Sequence, residues 1–205
     1  MAGTESGRRH TREDVAQAAL RILDDDGLPD LTMRRLAAAL EVQPSALYWH
    51  FPNKQTLLAE LADRIVATAA SRPVTDATTQ TRAAASALRD ALLAYRDGAE
   101  VVSSTLALGL GATTARDRLA AAIAADGFDE RLAARAATAL LHFVMGHVSH
   151  EQQRLQYDSI GVVAPEAAAA PDSDDPAAEF AFGVDLLVGG LDLARSGAGG
   201  SAGAH

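Results

Sequence analysis

No cysteine occurs in the 205 residues, which excludes a disulfide framework and any metal site built on thiolates, and fits a reducing cytoplasm. Aromatic side chains are scarce at 4%, so a chain that is 48% hydrophobic must build its core mostly from alanine, leucine and valine. Alanine and leucine on that scale favour helix, and no long alternating β-branched run is present, so an all-α fold is expected. No apolar stretch reaches the roughly 18 residues of a membrane span. Met1–His10 is small, polar and basic, without the apolar segment of a signal peptide, so no membrane partner and a cytoplasmic location are expected. Lysine is almost absent: Lys54 is the single one. The net charge of −9 argues against non-specific nucleic-acid binding, because phosphate contacts need cations. The deficit is uneven, however. Residues 1–60 carry 7 Lys+Arg against 9 Asp+Glu (−2), and residues 61–205 carry 11 against 18 (−7).

What is present is helical punctuation. Residues 1–10 read as a disordered arm in which Arg8 and Arg9 could reach a phosphate. Residues 11–26 form a first helix, with Thr11 as N-cap and Gly27 as its stop. The stretch Leu31–Lys54, LTMRRLAAALEVQPSALYWHFPNK, reads as two short helices with a tight turn at Glu41–Gln43. Thr32 caps the first, Pro44 opens the second and Pro52 ends it. Such a unit is a helix-turn-helix, whose second helix fits the DNA major groove. Asn53 then caps a connecting helix over 53–71, and Pro73 marks a boundary. Helices follow at about 80–95, 101–108, 113–125 and 129–156, the last being the longest. The 161–176 stretch reads as a loop, 179–195 as a final amphipathic helix and 196–205 as a disordered tail. The division is thus an arm (1–10), a DNA-binding domain (11–52), a connecting helix (53–71), a larger domain (80–195) and the tail.

Ser45 and Ala46 on the second helix, with Arg34 on the first, are placed to meet base edges. Tyr48, Trp49, His50, Lys54, Thr32 and Arg34 are placed to hold phosphates and set register, and Pro44 starts the helix that carries them. Farther on, His147, His150 and Glu151 fall three and four residues apart, so that all can share one helix face, with His142 a turn earlier. Three readings fit them: the polar rim of a pocket, hydrogen-bonded histidines at a subunit seam, or a divalent-metal site. The last would make the chain a metal-dependent hydrolase, but nothing supplies a nucleophile motif, a phosphate-binding loop or a third separated ligand.

The string Leu47-Tyr48-Trp49-His50-Phe51 followed by Asn53-Lys54, with Leu31-Thr32-Met33-Arg34, Leu36-Ala37 and Leu40, resembles the DNA-binding domain of the tetracycline-repressor (TetR) family. Ala91–Val101 (ALLAYRDGAEV), Gly127-Phe128, His142–Gln153 (HFVMG, then EQQ) and the DSDD tract extend the resemblance to the C-terminal domain of its tetracycline-binding members. It implies a homodimer whose long and last helices pack as a four-helix bundle, a double-stranded DNA operator, a small-molecule effector and no resident cofactor or enzyme activity.

The resemblance also implies an effector pocket at Leu88, Leu92, Val102, Thr105, Phe143, His147, His150 and Glu151. Tetracycline-binding members carry a magnesium-ligating histidine just after the YRDG segment. Here that position is Val102, which has no lone pair to give. Their arginine falls on Leu106, while a threonine survives as Thr105. The expectation is a ligand-responsive repressor with a more apolar effector than magnesium-tetracycline. The alternative is a constitutive DNA-binding dimer with a vestigial pocket.

Overall fold

The computed structural model describes residues 10–69, 79–111, 113–159 and 175–200. Among these the regular structure is entirely helical. Residues 1–9 of the arm expected at 1–10, the boundary around Pro73 and most of the 161–176 loop lie outside the described residues.

The N-terminal head is built from four helices whose ends are written locally. α1 (Arg12–Asp26) opens with a capping box: the Thr11 hydroxyl accepts from the Asp14 amide and the Asp14 carboxylate accepts from the Thr11 amide. It closes on Gly27, at φ +88°. α2 (Met33–Ala39) is capped by the Thr32 hydroxyl, which accepts from the Arg35 amide at 3.1 Å. α2 ends in a Schellman motif: the Val42 amide donates to the Ala37 carbonyl and the Glu41 amide to that of Ala38. Glu41 therefore sits at φ +55°, where glycine is the usual occupant. α3 (Pro44–Tyr48) has its proline in the first turn, and α4 (Lys54–Ala67) is capped by Asn53. Leu23, Leu31, Leu36, Leu47, Phe51, Leu57 and Leu61 are sealed between these helices and fix their angles.

The body comprises α5 (Gln80–Leu93), α6 (Gly98–Ala107), α7 (Thr113–Ala125), α8 (Glu130–Ser159) and α9 (Pro176–Gly200). At 30 residues, α8 is about 45 Å long and forms the spine on which α5, α6, α7 and α9 pack. At Gly183 a Cβ would lie 2.2 Å from the Phe143 ring, so any larger residue there requires the ring to shift where α9 crosses α8.

Several helix ends differ from expectation. α4 stops at Ala67 rather than near Ser71, because the Thr68 hydroxyl takes the Ile65 carbonyl (2.7 Å) and Arg118 takes that of Val66 (2.7 Å). α9 starts three residues earlier, since Asp175 accepts from the Ala177 amide, and runs to Gly200, into the segment expected to be a disordered tail.

Head and body are joined at a polar node. Asp97, also left-handed at φ +55°, accepts from the Leu28 amide (2.8 Å) of the head and from the Gln156 amide group (2.5 Å) of α8. Gln152, buried beside it, accepts from the Ala99 amide and donates to the carbonyls of Leu92 and Tyr95. Gly98 permits this chain reversal, since a Cβ there would stand 2.4 Å from the Leu92 carbonyl oxygen. The acidic run at the end of α1 faces this joint: the Arg96 amide donates to Asp24 and its guanidinium to the Asp25 carbonyl.

Candidate nucleic-acid interface and effector cavity

The two aromatics of the reading helix stand outside the core. Trp49 is 89% exposed and Tyr48 49%, whereas their neighbours Leu47 and Phe51 are buried. Burial of one pair and exposure of the other follows from the helical turn: Leu47 and Phe51 are four residues apart and share the inner face. Pro44, Ser45 and Ala46 are exposed along the same outer face. Arg34 and Thr32 are also exposed, and His50 is half-buried.

The head's arginines divide by role. Arg12 donates to Glu60 (2.7 Å) and to the His50 carbonyl (2.9 Å), and lies 4.3 Å over the Phe51 ring. Arg35 pairs with Asp26 and Asp30. Both add to the head's positive charge, yet both are engaged in holding its helices together. Arg34 and Lys54 make no ion pair among the described residues. Lys54 sits at the first turn of α4, where unsatisfied amides favour a phosphate.

Behind the interface, Arg64 on α4 grips Glu13 (2.6 Å) and Glu60 (2.9 Å). The Arg64 hydrogen bonds hold the Glu13 carboxyl down to about 2. Burial pushes the Glu60 carboxyl up, but hydrogen bonds from Arg12 and Arg64 outweigh it and the net shift is downward. This network straps α1 to α4 across the back of α3.

Of the eight residues expected to line one effector pocket, Leu88 lines a cavity of about 560 Å³ between α4, α5 and α7, with Val66, Ala84, Ala115, Leu119 and Arg118, and the other seven are placed elsewhere around α5, α6 and α8. Leu92, Val102 and Thr105 are core residues, and the Thr105 hydroxyl is spent on the Val102 carbonyl of its own helix. Phe143 stacks on Phe180 of α9, and His147 meets both rings while its Nε2 contacts the Pro176 carbonyl at 3.1 Å. Glu151 forms a two-pronged pair with Arg89 of α5 at 2.7 and 2.9 Å. His150 is exposed. Among the described residues no group of three metal-ligating side chains is assembled, so the shared-face reading of His147, His150 and Glu151 as a hydrolase's metal site is corrected. The reason lies in their partners: Glu151 is taken by Arg89 of α5, His147 by the Phe143 and Phe180 rings and the Pro176 carbonyl, and His150 is exposed.

Sequence reasoning does not reach Arg118, Asp97 or Gln152 as site residues. Gln152 has a signal, a glutamine four residues beyond Val148 on the apolar stripe of α8. Arg118 has none, because its partners lie about fifty residues away, at the end of α4.

A helical body carrying a short, solvent-facing reading helix with a cation beside it defines a helix-turn-helix DNA-binding regulator. Comparison with known proteins sharpens this. Residues 16–61 match the profile of bacterial regulatory proteins of the tetR family, and residues 72–194 match the tetracyclin repressor-like C-terminal domain. The class G tetracycline repressor protein of Vibrio anguillarum is 33% identical over 198 residues, covering 89% of this chain and 93% of its own. BioQ of Mycobacterium smegmatis is 42% identical with a TM-score of 0.75, covering 89% and 97%, and BioQ has also been solved with its double-stranded DNA operator. A point variant of TetR from Acinetobacter baumannii, solved in complex with minocycline, is 32% identical with a TM-score of 0.69, covering 91% and 98%. The chain belongs to the tetR family of bacterial regulatory proteins. The matched families are regulators, and none is catalytic. No helix among the described residues is long and apolar enough to cross a membrane.

Proposed function

We propose that the protein is a ligand-responsive repressor: a homodimer that places two α3 helices in the major grooves of a palindromic operator and leaves it when a small, fairly apolar effector binds the body. The observation that carries this reading is the placement of α4. Its first residue, Lys54, stands beside the reading helix, and its other end, Val66 and Ala67, forms a wall of the α4–α5–α7 cavity about 20 Å away. A ligand pressing on that wall tilts the same helix that positions the reading head. A hundredfold loss of operator affinity requires that the effector favour the released form by about 2.7 kcal/mol.

The dimer is supported by an apolar face on α9, where Phe182, Leu186 and Leu193 are 61%, 61% and 76% exposed, and by the exposed Leu155 of α8. A patch of that kind on two long helices is ordinarily covered by a partner. Val102, buried and without a lone pair, argues against magnesium-tetracycline as the effector.

The test begins with DNA selected from a random pool by the full-length protein. A two-fold symmetric site bound by two chains is expected; an asymmetric site bound by one chain would contradict the dimer. Lys54→Ala is expected to weaken binding to all sequences and to lower the salt slope by about 1, while substitution of Ser45 alters preference at particular bases. Ligand-induced thermal shifts across a metabolite library, followed by operator release, then separate a responsive repressor from a constitutive one. Tight, magnesium-dependent release by tetracycline would contradict the apolar effector.

A further inference from the structure

We propose that the cavity between α4, α5 and α7 takes a small molecule with an apolar body and an anionic head, and that Arg118 is the residue that reads the anion. The proposal rests on the effector reading above and narrows the effector's chemical class.

The lining is unusually uniform. Among the described residues every lining side chain apart from Gln80 and Arg118 is Ala, Val or Leu, so Arg118 is the one charged group among them. It stands on α7 with its Nη1 donating to the carbonyls of Val66 (2.7 Å) and Ala69 (3.3 Å), at the end of α4. A guanidinium has five donors, and among the described residues Nε and Nη2 of Arg118 donate to nothing. No carboxylate lies within ion-pairing distance of it among those residues, although Arg12, Arg35, Arg64, Arg82, Arg89 and Arg195 each have one. The acid adjoining the lining, Asp126, is already committed: its oxygens accept from the Gln80 amide, the Thr81 amide and the Thr81 hydroxyl.

An apolar cavity with an uncompensated, fork-shaped cation at its edge is complementary to an amphipathic anion, a carboxylate, sulfonate or phosphate on a hydrocarbon or aromatic body. A cationic ligand is repelled there, and a neutral one leaves the guanidinium's spare donors unused. The same geometry supplies the coupling. Without ligand, Arg118 holds the Val66 carbonyl in the last turn of α4, the negative end of its dipole, and the Ala69 carbonyl just beyond it. An anion is a stronger acceptor than a carbonyl, so it draws the guanidinium away and frees that end of α4 to move.

The test uses two fluorescent probes of nearly the same body: anilinonaphthalene sulfonate, which carries an anion, and N-phenylnaphthylamine, which does not. Each is titrated into the full-length protein, into Arg118→Gln, and into Ala121→Trp, which fills the cavity from an exposed lining position. Melting curves confirm that both variants fold. The expected result is that the sulfonate binds about tenfold more tightly than the amine, that Arg118→Gln abolishes the preference, and that Ala121→Trp blocks both probes. Equal binding of the two probes, blocked by Ala121→Trp, would overturn the anion assignment while leaving the cavity as an apolar effector site. Binding indifferent to Ala121→Trp, or absent altogether, would overturn the proposal as a whole. Release of labelled operator is read on the same samples. Arg118-dependent binding without release supports the anion site and contradicts the repressor mechanism, so the two failures are distinguishable.

Discussion

Head and body are packed by opposite means. Of the twelve largest fully buried side chains among the described residues, nine belong to residues 15–65, including Phe51 and six leucines, and three, Leu92, Leu119 and Ile123, belong to the body. The head is therefore a dense apolar unit strapped by the Glu13–Arg64–Glu60–Arg12 network, with little freedom to deform. The body is faced with alanine on α5 and α7, where a half-open cavity of about 560 Å³ lies between them and α4, and it is tied by polar links such as Arg89–Glu151 and the Asp97 node. Small side chains leave room that large ones would fill. A reading device needs a fixed shape and a sensing device needs space, and the residue sizes suit the division of labour proposed above.

The sharpest way to break the contrast is to loosen the head. Phe51→Ala is expected to cost about 3–5 kcal/mol in denaturant unfolding, because the surrounding leucines have no slack to close the void. A cost below about 1 kcal/mol would mean that the head is no more tightly packed than the body.

Next in size is the joint. Asp97→Asn retains a side chain suited to the left-handed conformation but offers one acceptor oxygen where two are used. A loss of about 1–3 kcal/mol is expected. Hydrogen exchange should locate it at Leu28 and along α6, and the melting transition should split, since head and body then unfold separately. A single unchanged transition would show that apolar contact between α4 and α6 suffices to couple them.

These two residues also show how much could be read from the sequence. The head's helices were legible because their signals are local: Thr11, Thr32 and Asn53 each cap within three residues of themselves, and Pro44 can stand only in a first turn. Exposure of Tyr48 and Trp49 followed from their place beside polar residues. The body's site was less legible, because its geometry is set by distant partners. Leu92, Val102 and Thr105 have the apolar or small character of a pocket wall, and in the structure they are buried. His147 and Glu151 share a helix face on paper, yet Pro176 on α9 and Arg89 on α5 draw them apart. Asp97 stood in the YRDG string without its role being evident, since its partner, the Leu28 amide, is 69 residues away.

A smaller effect is expected at the turn between α2 and α3. Glu41→Gly removes a strained left-handed glutamate and is expected to stabilise the head by up to about 1 kcal/mol, the relief of strain being partly offset by the flexibility of unfolded glycine. Destabilisation would imply that the Glu41 side chain contributes more than its backbone costs.

The smallest effect concerns acid. Glu13 is held at about 2 in the folded head against an ordinary 4.5, so its contribution is present above pH 4.5 and is lost as the pH falls towards 2. Glu13→Gln should therefore flatten the stability–pH curve in that window and leave it unchanged near neutrality apart from a constant offset. An unchanged slope between pH 4.5 and 2 would place the head's acid sensitivity elsewhere, with Glu60 the next group to examine.

The chain's single tryptophan lies at the tip of the reading helix and provides a direct readout. Acrylamide quenching of Trp49 fluorescence, measured with and without selected double-stranded DNA while anisotropy of the labelled DNA reports binding, tests whether this surface is the one that meets the operator. Quenching is expected to fall several-fold at saturation as the duplex covers a side chain that is 89% exposed in the free protein. Saturating DNA binding with Trp49 still fully open to the quencher would mean that the protein reads DNA with another face.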